Sequence, residues 1–223
     1  MGDAVGQMLA SAVGIAISPM PLIAVILMLA TPKGRANGLA FTGGWVVTLA
    51  AVVTVVVLVG SGLSTDSAKP AWAWWLKLAL GVLFLLLGFK QWRGRPREGH
   101  VHGPPKWMQA IDRFTPGKAA GLAAVLVAAN PKNLVLAVGG AVSIATSTAS
   151  SGGKAGAAVL MVLIGSLCTV VPLAVYLFGG DRSARVLGEW KAWMAAHNAA
   201  IMMVVLVVLG AKYIGDAVAG LTS

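Results

Sequence analysis

The sequence predicts an all-α integral membrane protein, six transmembrane helices in a 3+3 inverted repeat with helices 1 and 4 broken. Three observations predict it. The composition is 58% hydrophobic and only 11% charged, with a mean hydropathy of +0.84, far from the balance of a soluble domain. At about 20 residues per span, 223 residues hold six helices with short connections and leave no room for an appended soluble or catalytic domain. Two proline-broken motifs, Ser18-Pro19-Met20-Pro21 and Asn130-Pro131-Lys132-Asn133, lie 112 positions apart, half the chain length, and at the same depth of two apolar runs. A helix interior normally excludes proline, which removes a backbone donor and clashes with the preceding turn. Matched interruptions of this kind are the mark of a transporter built from repeats.

The spans are expected near 5–30, 36–61, 71–92, 118–148, 153–179 and 195–220. They divide the chain into a first three-helix repeat (1–92), a basic cytoplasmic loop with an interfacial helix (93–117) and a second three-helix repeat (118–223). Span 1 opens with Asp3 and no Lys or Arg, so it lacks the basic region of a signal peptide and is expected to be retained. Its break places Ser18, Pro19 and Pro21 at mid-depth, where a hydroxyl and uncompensated carbonyls would line half of a cavity, or simply kink the helix.

Span 2 carries Gly43-Gly44 and the one deep tryptophan, Trp45. Span 3 begins in Trp72, Trp74 and Trp75 and ends at Trp92, which reads as interfacial anchoring at both membrane surfaces. Gly81 and Gly88 in span 3, Gly156 and Gly165 in span 5, and Gly210 with Gly215 in span 6 read as sites of close helix approach.

The loop that follows span 3 holds His100 and His102, too few ligands for a metal site, and the sole cysteine, Cys168, lies elsewhere. After Pro104-Pro105, the residues Trp107, Met108, Ile111 and Phe114 recur at helical spacing, which suits a short helix on the inner leaflet.

Span 4 contains the sharpest signal. Lys132 lies near mid-depth, and an ionisable residue there is costly enough to be functional by default. The half-helix resuming after Pro131 points unpaired N–H groups into the same region, and an ammonium beside a helix N-terminus is a place for an anion. The bland alternative is that Lys132, Asn130 and Asn133 only tie down carbonyls freed by the break. No Asp or Glu approaches mid-depth in any span, so a carboxylate proton relay is missing; were protons coupled to transport, Lys132 would be the group to carry them.

In span 5, Pro172 is expected to kink the helix near Tyr176, and Cys168 reads as a small packing residue. One cysteine cannot cycle between thiol and disulfide, which excludes the membrane thiol-disulfide carriers of similar layout. In span 6, Lys212 and Asp216 are placed to pair across one turn.

The net charge of +10 sorts by alternate loop. Twelve of the 17 basic residues follow span 1 (Lys33, Arg35), lie between spans 3 and 4, or lie between spans 5 and 6 (Arg182, Arg185, Lys191), whereas the other side holds only Lys69, Lys77 and Lys154. The positive-inside rule then places both termini outside the cytoplasm. Such sorting implies no nucleic-acid groove.

Three stretches carry a family resemblance: Ile17-Ser18-Pro19-Met20-Pro21-Leu22-Ile23-Ala24-Val25, Asp112-Arg113-Phe114-Thr115-Pro116-Gly117-Lys118, and Asn130-Pro131-Lys132-Asn133-Leu134. Together they resemble the GAP/Sap family of the LysE transporter superfamily, the sulfolipid-addressing and peptidoglycolipid-exporting proteins of actinobacteria. The resemblance covers essentially the whole chain. It implies a six-helix inner-membrane protein that moves envelope lipids or glycolipids outward, with Ser18, Pro19, Pro21, Asn130, Pro131, Lys132 and Asn133 as motif positions. The expected function is thus a transporter or facilitator that is not ATP-driven, since no Walker-type phosphate loop is present; no enzymatic activity, cofactor or metal is expected. Its expected partners are membrane lipid, an amphiphilic lipid or glycolipid substrate and lipid-synthesis enzymes at the cytoplasmic face, with a homodimer compatible. Two other functions fit less of the sequence: export of a small hydrophilic solute such as an amino acid, and a scaffold for lipid-synthesis enzymes.

Overall fold

The computed structural model describes residues 2–62, 71–93 and 114–222. The expected interfacial helix after Pro105, His100, His102, Lys69 and most of the 93–117 loop lie outside the described residues. Within them the chain is α-helical: α1 (Gly2–Ala16), α2 (Pro19–Leu29), α3 (Gly34–Gly62), α4 (Ala71–Arg93), α5 (Pro116–Ala128), α6 (Pro131–Ala145), α7 (Ser151–Gly165), α8 (Leu167–Phe178) and α9 (Ser183–Leu221), with one 3-10 turn at Gly180–Arg182. Three of these, α3, α4 and α9, are each long and apolar enough to cross a membrane, and three bent pairs pass the same test together. The outer faces are apolar, as lipid-facing surfaces are: Val47 is 69% exposed, Leu86 61% and Phe178 86%. This is a multi-pass membrane protein.

The first two breaks are copies of one another. Pro19 and Pro21 remove the N–H groups that would have continued α1, so the chain bends by 46° into α2; Pro131 does the same between α5 and α6, which bend by 65°. A residue before proline is driven out of the helical region. Ser18 accordingly has φ −74°, ψ 116°, and Asn130 has φ −78°, ψ 113°.

A third break was not expected. Span 5 bends by 55° between α7 and α8, centred on Ser166, more than a turn upstream of Pro172 and well away from Tyr176. Ser166 stays in the right-handed helical region at φ −89°, ψ −7°, and Thr169 N–H turns back to the Ser166 carbonyl at 3.0 Å, so Gly165 O is released from the helical ladder. Trp45 Nε1–H, from α3, takes that carbonyl at 3.2 Å. The deep tryptophan is therefore a strut between α3 and the α7–α8 break, and it is fully buried.

Two further expectations are corrected. Arg185 and Lys191 do not lie in a loop, while Arg182 closes the 3-10 turn before them: α9 runs unbroken for 39 residues, about 58 Å at 1.5 Å per residue, longer than a hydrocarbon core of ~30 Å. Lys77 is not in a connection but inside α4, only 2% exposed, with its ammonium 4.9 Å from the Trp74 ring centroid.

Glycine sets the closest helix approaches. A Cβ on Gly81 would meet the Gly210 carbonyl at 3.0 Å, and one on Gly210 would meet the Gly81 carbonyl at the same distance, so α4 and α9 touch backbone to backbone. Gly44 lets α3 settle on α5, where its Cβ would lie 2.8 Å from Ala120 Cα. Gly43 and Gly215 face open space instead and take no part in packing.

Candidate functional site

Of the two proline-broken spans, α1 and α6 run antiparallel and lie against each other. Asp3 Oδ2 accepts from Thr148 at 3.3 Å, a Cβ on Gly140 would touch Ser11 Cβ at 2.9 Å, and one on Gly14 would touch Leu136 at 3.1 Å. Extending that register brings Ser18 opposite Asn133. The breaks thus meet each other at one place.

At that place a short polar chain crosses between the spans. Lys132 Nζ donates to Ser18 Oγ at 2.8 Å, Ser18 Oγ–H donates to Asn133 Oδ1 at 2.8 Å, and Asn133 Nδ2 donates to Leu126 O at 2.9 Å. Each link has a local cause. Leu126 O is an orphan of the break, because its helical donor would be Asn130 N–H and Asn130 has left the helix. Ser18 occupies the N-cap position of α2 yet makes no cap bond with its own helix, since its hydroxyl is committed across the interface. Asn130 behaves in the opposite way: its Oδ1 caps α6 by accepting from Lys132 N–H at 3.1 Å.

The ammonium is the unusual member. Lys132 is 7% exposed, Ser18 2% and Asn133 1%. An ammonium carries three donors, and among the described residues Lys132 has the Ser18 hydroxyl as its acceptor and no carboxylate partner. Leu126 O, freed by the break, is taken by Asn133, whereas the Lys132 ammonium donates to the Ser18 hydroxyl and to no freed carbonyl among the described residues.

Of the seven motif positions, Ser18, Lys132 and Asn133 come together through their side chains. Pro19 and Pro21 are buried and act through the backbone, Pro131 is exposed, and Asn130 serves its own helix. At the 112-residue offset Met20 stands where Lys132 does and Pro21 where Asn133 does, so only one half supplies charge. Sequence reasoning missed Ser166, whose buried Oγ has no hydrogen-bond partner among the described residues, and the Trp45–Gly165 strut. The adjacent Gly165-Ser166 pair inside an apolar run was the available signal.

The family model described as Sap, sulfolipid-1-addressing protein, matches residues 8–219. The chain belongs to the Sap family. The match takes in all three broken spans and the whole Ser18–Lys132–Asn133 cluster. Membership places this Sap-family protein among membrane proteins named for addressing a sulfolipid, a role of lipid handling and transport. No curated protein and no solved structure matches the chain.

Proposed function

We propose that the protein exports an amphiphilic envelope lipid or glycolipid across the bacterial inner membrane, binding its polar or anionic head at Lys132. One observation carries this reading: a buried ammonium sits between two proline-broken helices with a neutral hydroxyl as its partner and, among the described residues, no counter-ion. A charge held in a dry interior is unfavourable unless something compensates it, and an anionic headgroup would do so when bound. A sulfated lipid, as the family description names, has such a head.

The proposed route rests on the meeting of the two breaks at Ser18 and Asn133. In this reading residues 1–92 and 118–223 act as two three-helix halves of opposite orientation, with the basic 93–117 segment toward the cytoplasm and both termini outside. Lys132 is enclosed in the present conformation, so the halves rock about the Ser18–Asn133 contact to open it to one leaflet and then the other. Ser18 and Asn133 hold the ammonium in the crevice, and Pro19, Pro21 and Pro131 keep the backbone open there. Acyl chains remain outside in lipid; only the head needs a polar path. Cytoplasmic lipid-synthesis enzymes would deliver the substrate, and the glycine-bearing faces are compatible with a homodimer.

The test compares extracted surface lipids from a deletion strain complemented with the parent gene, with Lys132→Ala, or with a variant lacking residues 94–104. Export predicts that the parent and the loop deletion restore the missing lipid and Lys132→Ala does not. Restoration by Lys132→Ala at parental protein level would end the head-site reading. Failure of the loop deletion alone would point to a scaffold.

A further inference from the structure

A second site lies away from Lys132. A cleft of about 590 Å³ separates the later half of α3 from α7, a size typical of ligand sites. Its walls are apolar, chiefly Val53, Val57, Ala158, Val162 and Leu163. The rim residues Leu58, Val159 and Leu163 are 67%, 59% and 59% exposed, so the cleft opens sideways toward the bilayer rather than toward water. None of the Ser18–Lys132–Asn133 cluster lines it.

Apart from Thr54, its polar side chains gather at one end. Ser61, near the end of α3, and Ser151 and Lys154, in the first turn of α7, line the cleft there. Ser61 Oγ is buried and has no hydrogen-bond partner among the described residues. Lys154 Nζ donates to Ala145 O at 2.6 Å, which fixes the side chain over the cleft and leaves two of its three donors for another acceptor. Among the described residues no acidic side chain lines the cleft, and Lys154 is the charged group there. From Ala50 to Ser61 the helix rises about 16 Å at 1.5 Å per residue, half of a hydrocarbon core ~30 Å thick and therefore the depth of one leaflet.

An apolar slot one leaflet deep, reached from the side, with a fixed cation and an unsatisfied hydroxyl at its membrane-surface end, matches one kind of molecule. We propose that the α3–α7 cleft holds an acyl chain of an anionic membrane lipid, with the acidic headgroup on Lys154, Ser61 and Ser151. A zwitterionic headgroup brings its own cation and gains little from Lys154; an anionic one gains the full attraction. The inference goes beyond the export reading and needs no transport to hold.

Native mass spectrometry of the purified full-length protein, titrated with phosphatidylglycerol or phosphatidylcholine of identical chains, tests it. One phosphatidylglycerol should be retained at a concentration roughly fivefold lower than phosphatidylcholine, the preference expected from a single lysine near a membrane surface. Lys154→Gln should abolish that preference and Lys154→Arg keep it. Ala158→Phe, which fills the slot, should weaken retention of both lipids. Lys132→Ala should leave the preference untouched, which separates this site from the mid-depth one. Equal retention of the two lipids by the parent, a preference surviving Lys154→Gln, or a preference lost in Lys132→Ala would each overturn the assignment. Should Ala158→Phe fail to fold, Lys154→Gln decides alone, because its side chain is partly exposed and polar in both forms.

Discussion

Replacing Lys132 with methionine separates binding from architecture, because the two roles predict opposite signs of stability. Methionine keeps most of the volume and flexibility of lysine but carries no charge. What it removes is the 2.8 Å bond to Ser18 Oγ, a charge-assisted interaction contributing about 1.5–3 kcal/mol. It also removes the cost of holding an ammonium at 7% exposure without a counter-ion, several kcal/mol per buried ion after relaxation. Ser18 is not stranded, since its hydroxyl still donates to Asn133 Oδ1 at 2.8 Å. The balance favours the variant, so Lys132→Met should be as stable as the parent or more stable by up to ~2 kcal/mol. In a thermal melt of purified protein in detergent, each kcal/mol corresponds to roughly 2–4 °C for a chain of this size. Surface lipid in cells carrying the variant should nevertheless fall at least about tenfold, the factor that ~1.4 kcal/mol of lost head binding produces. A melt lowered by more than about 4 °C would mean that the ammonium is structural. An unchanged melt with normal surface lipid would mean that it is dispensable, and the headgroup reading would fail.

Four other perturbations read out neighbouring parts of the fold. Lys132→Arg retains a fixed charge and should retain export, since arginine stays protonated; loss of export with a normal melt would implicate proton release by the lysine. Asn133→Leu removes the acceptor of Ser18 and the donor to Leu126 O together, and should cost about 2–4 kcal/mol from two buried groups left unpaired, measured by the same melt. Gly44→Ala drives a methyl group against the Ala120 backbone at 2.8 Å and should cost about 1–3 kcal/mol, whereas Gly43→Ala, which meets nothing, should be neutral or stabilise by up to ~1 kcal/mol. Trp45→Phe breaks the strut to Gly165 O and should cost about 0.5–1.5 kcal/mol, with loosening at the α7–α8 break visible as faster amide exchange at Cys168 and Thr169.

Much of the path to this site was legible in the residues. Pro19, Pro21 and Pro131 forbid helix continuation wherever they stand, so two breaks followed from covalent chemistry, and the near-identical dihedrals of Ser18 and Asn130 are the local result. The pairing of Lys212 with Asp216, at 2.7 Å, is likewise a matter of helical spacing. The third break was not readable, because Ser166 has no proline beside it, and the carbonyl released there is received by Trp45 from a distant helix. The charged stretch 182–191 looked like a loop because charge marks exposure, and an exposed helix projecting beyond the membrane has the same composition.

Local chemistry alone thus determined that the chain is helical and membrane-embedded, where two of its spans break, and that a lysine lies at one break. These are properties of a few consecutive residues and the solvent around them. Tertiary structure decided that the breaks face each other, that Ser18 abandons its own cap to bridge Lys132 and Asn133, and that the ammonium has no carboxylate partner among the described residues. Those facts join residues more than a hundred positions apart, and only the antiparallel packing of the two spans brings such groups within hydrogen-bond reach.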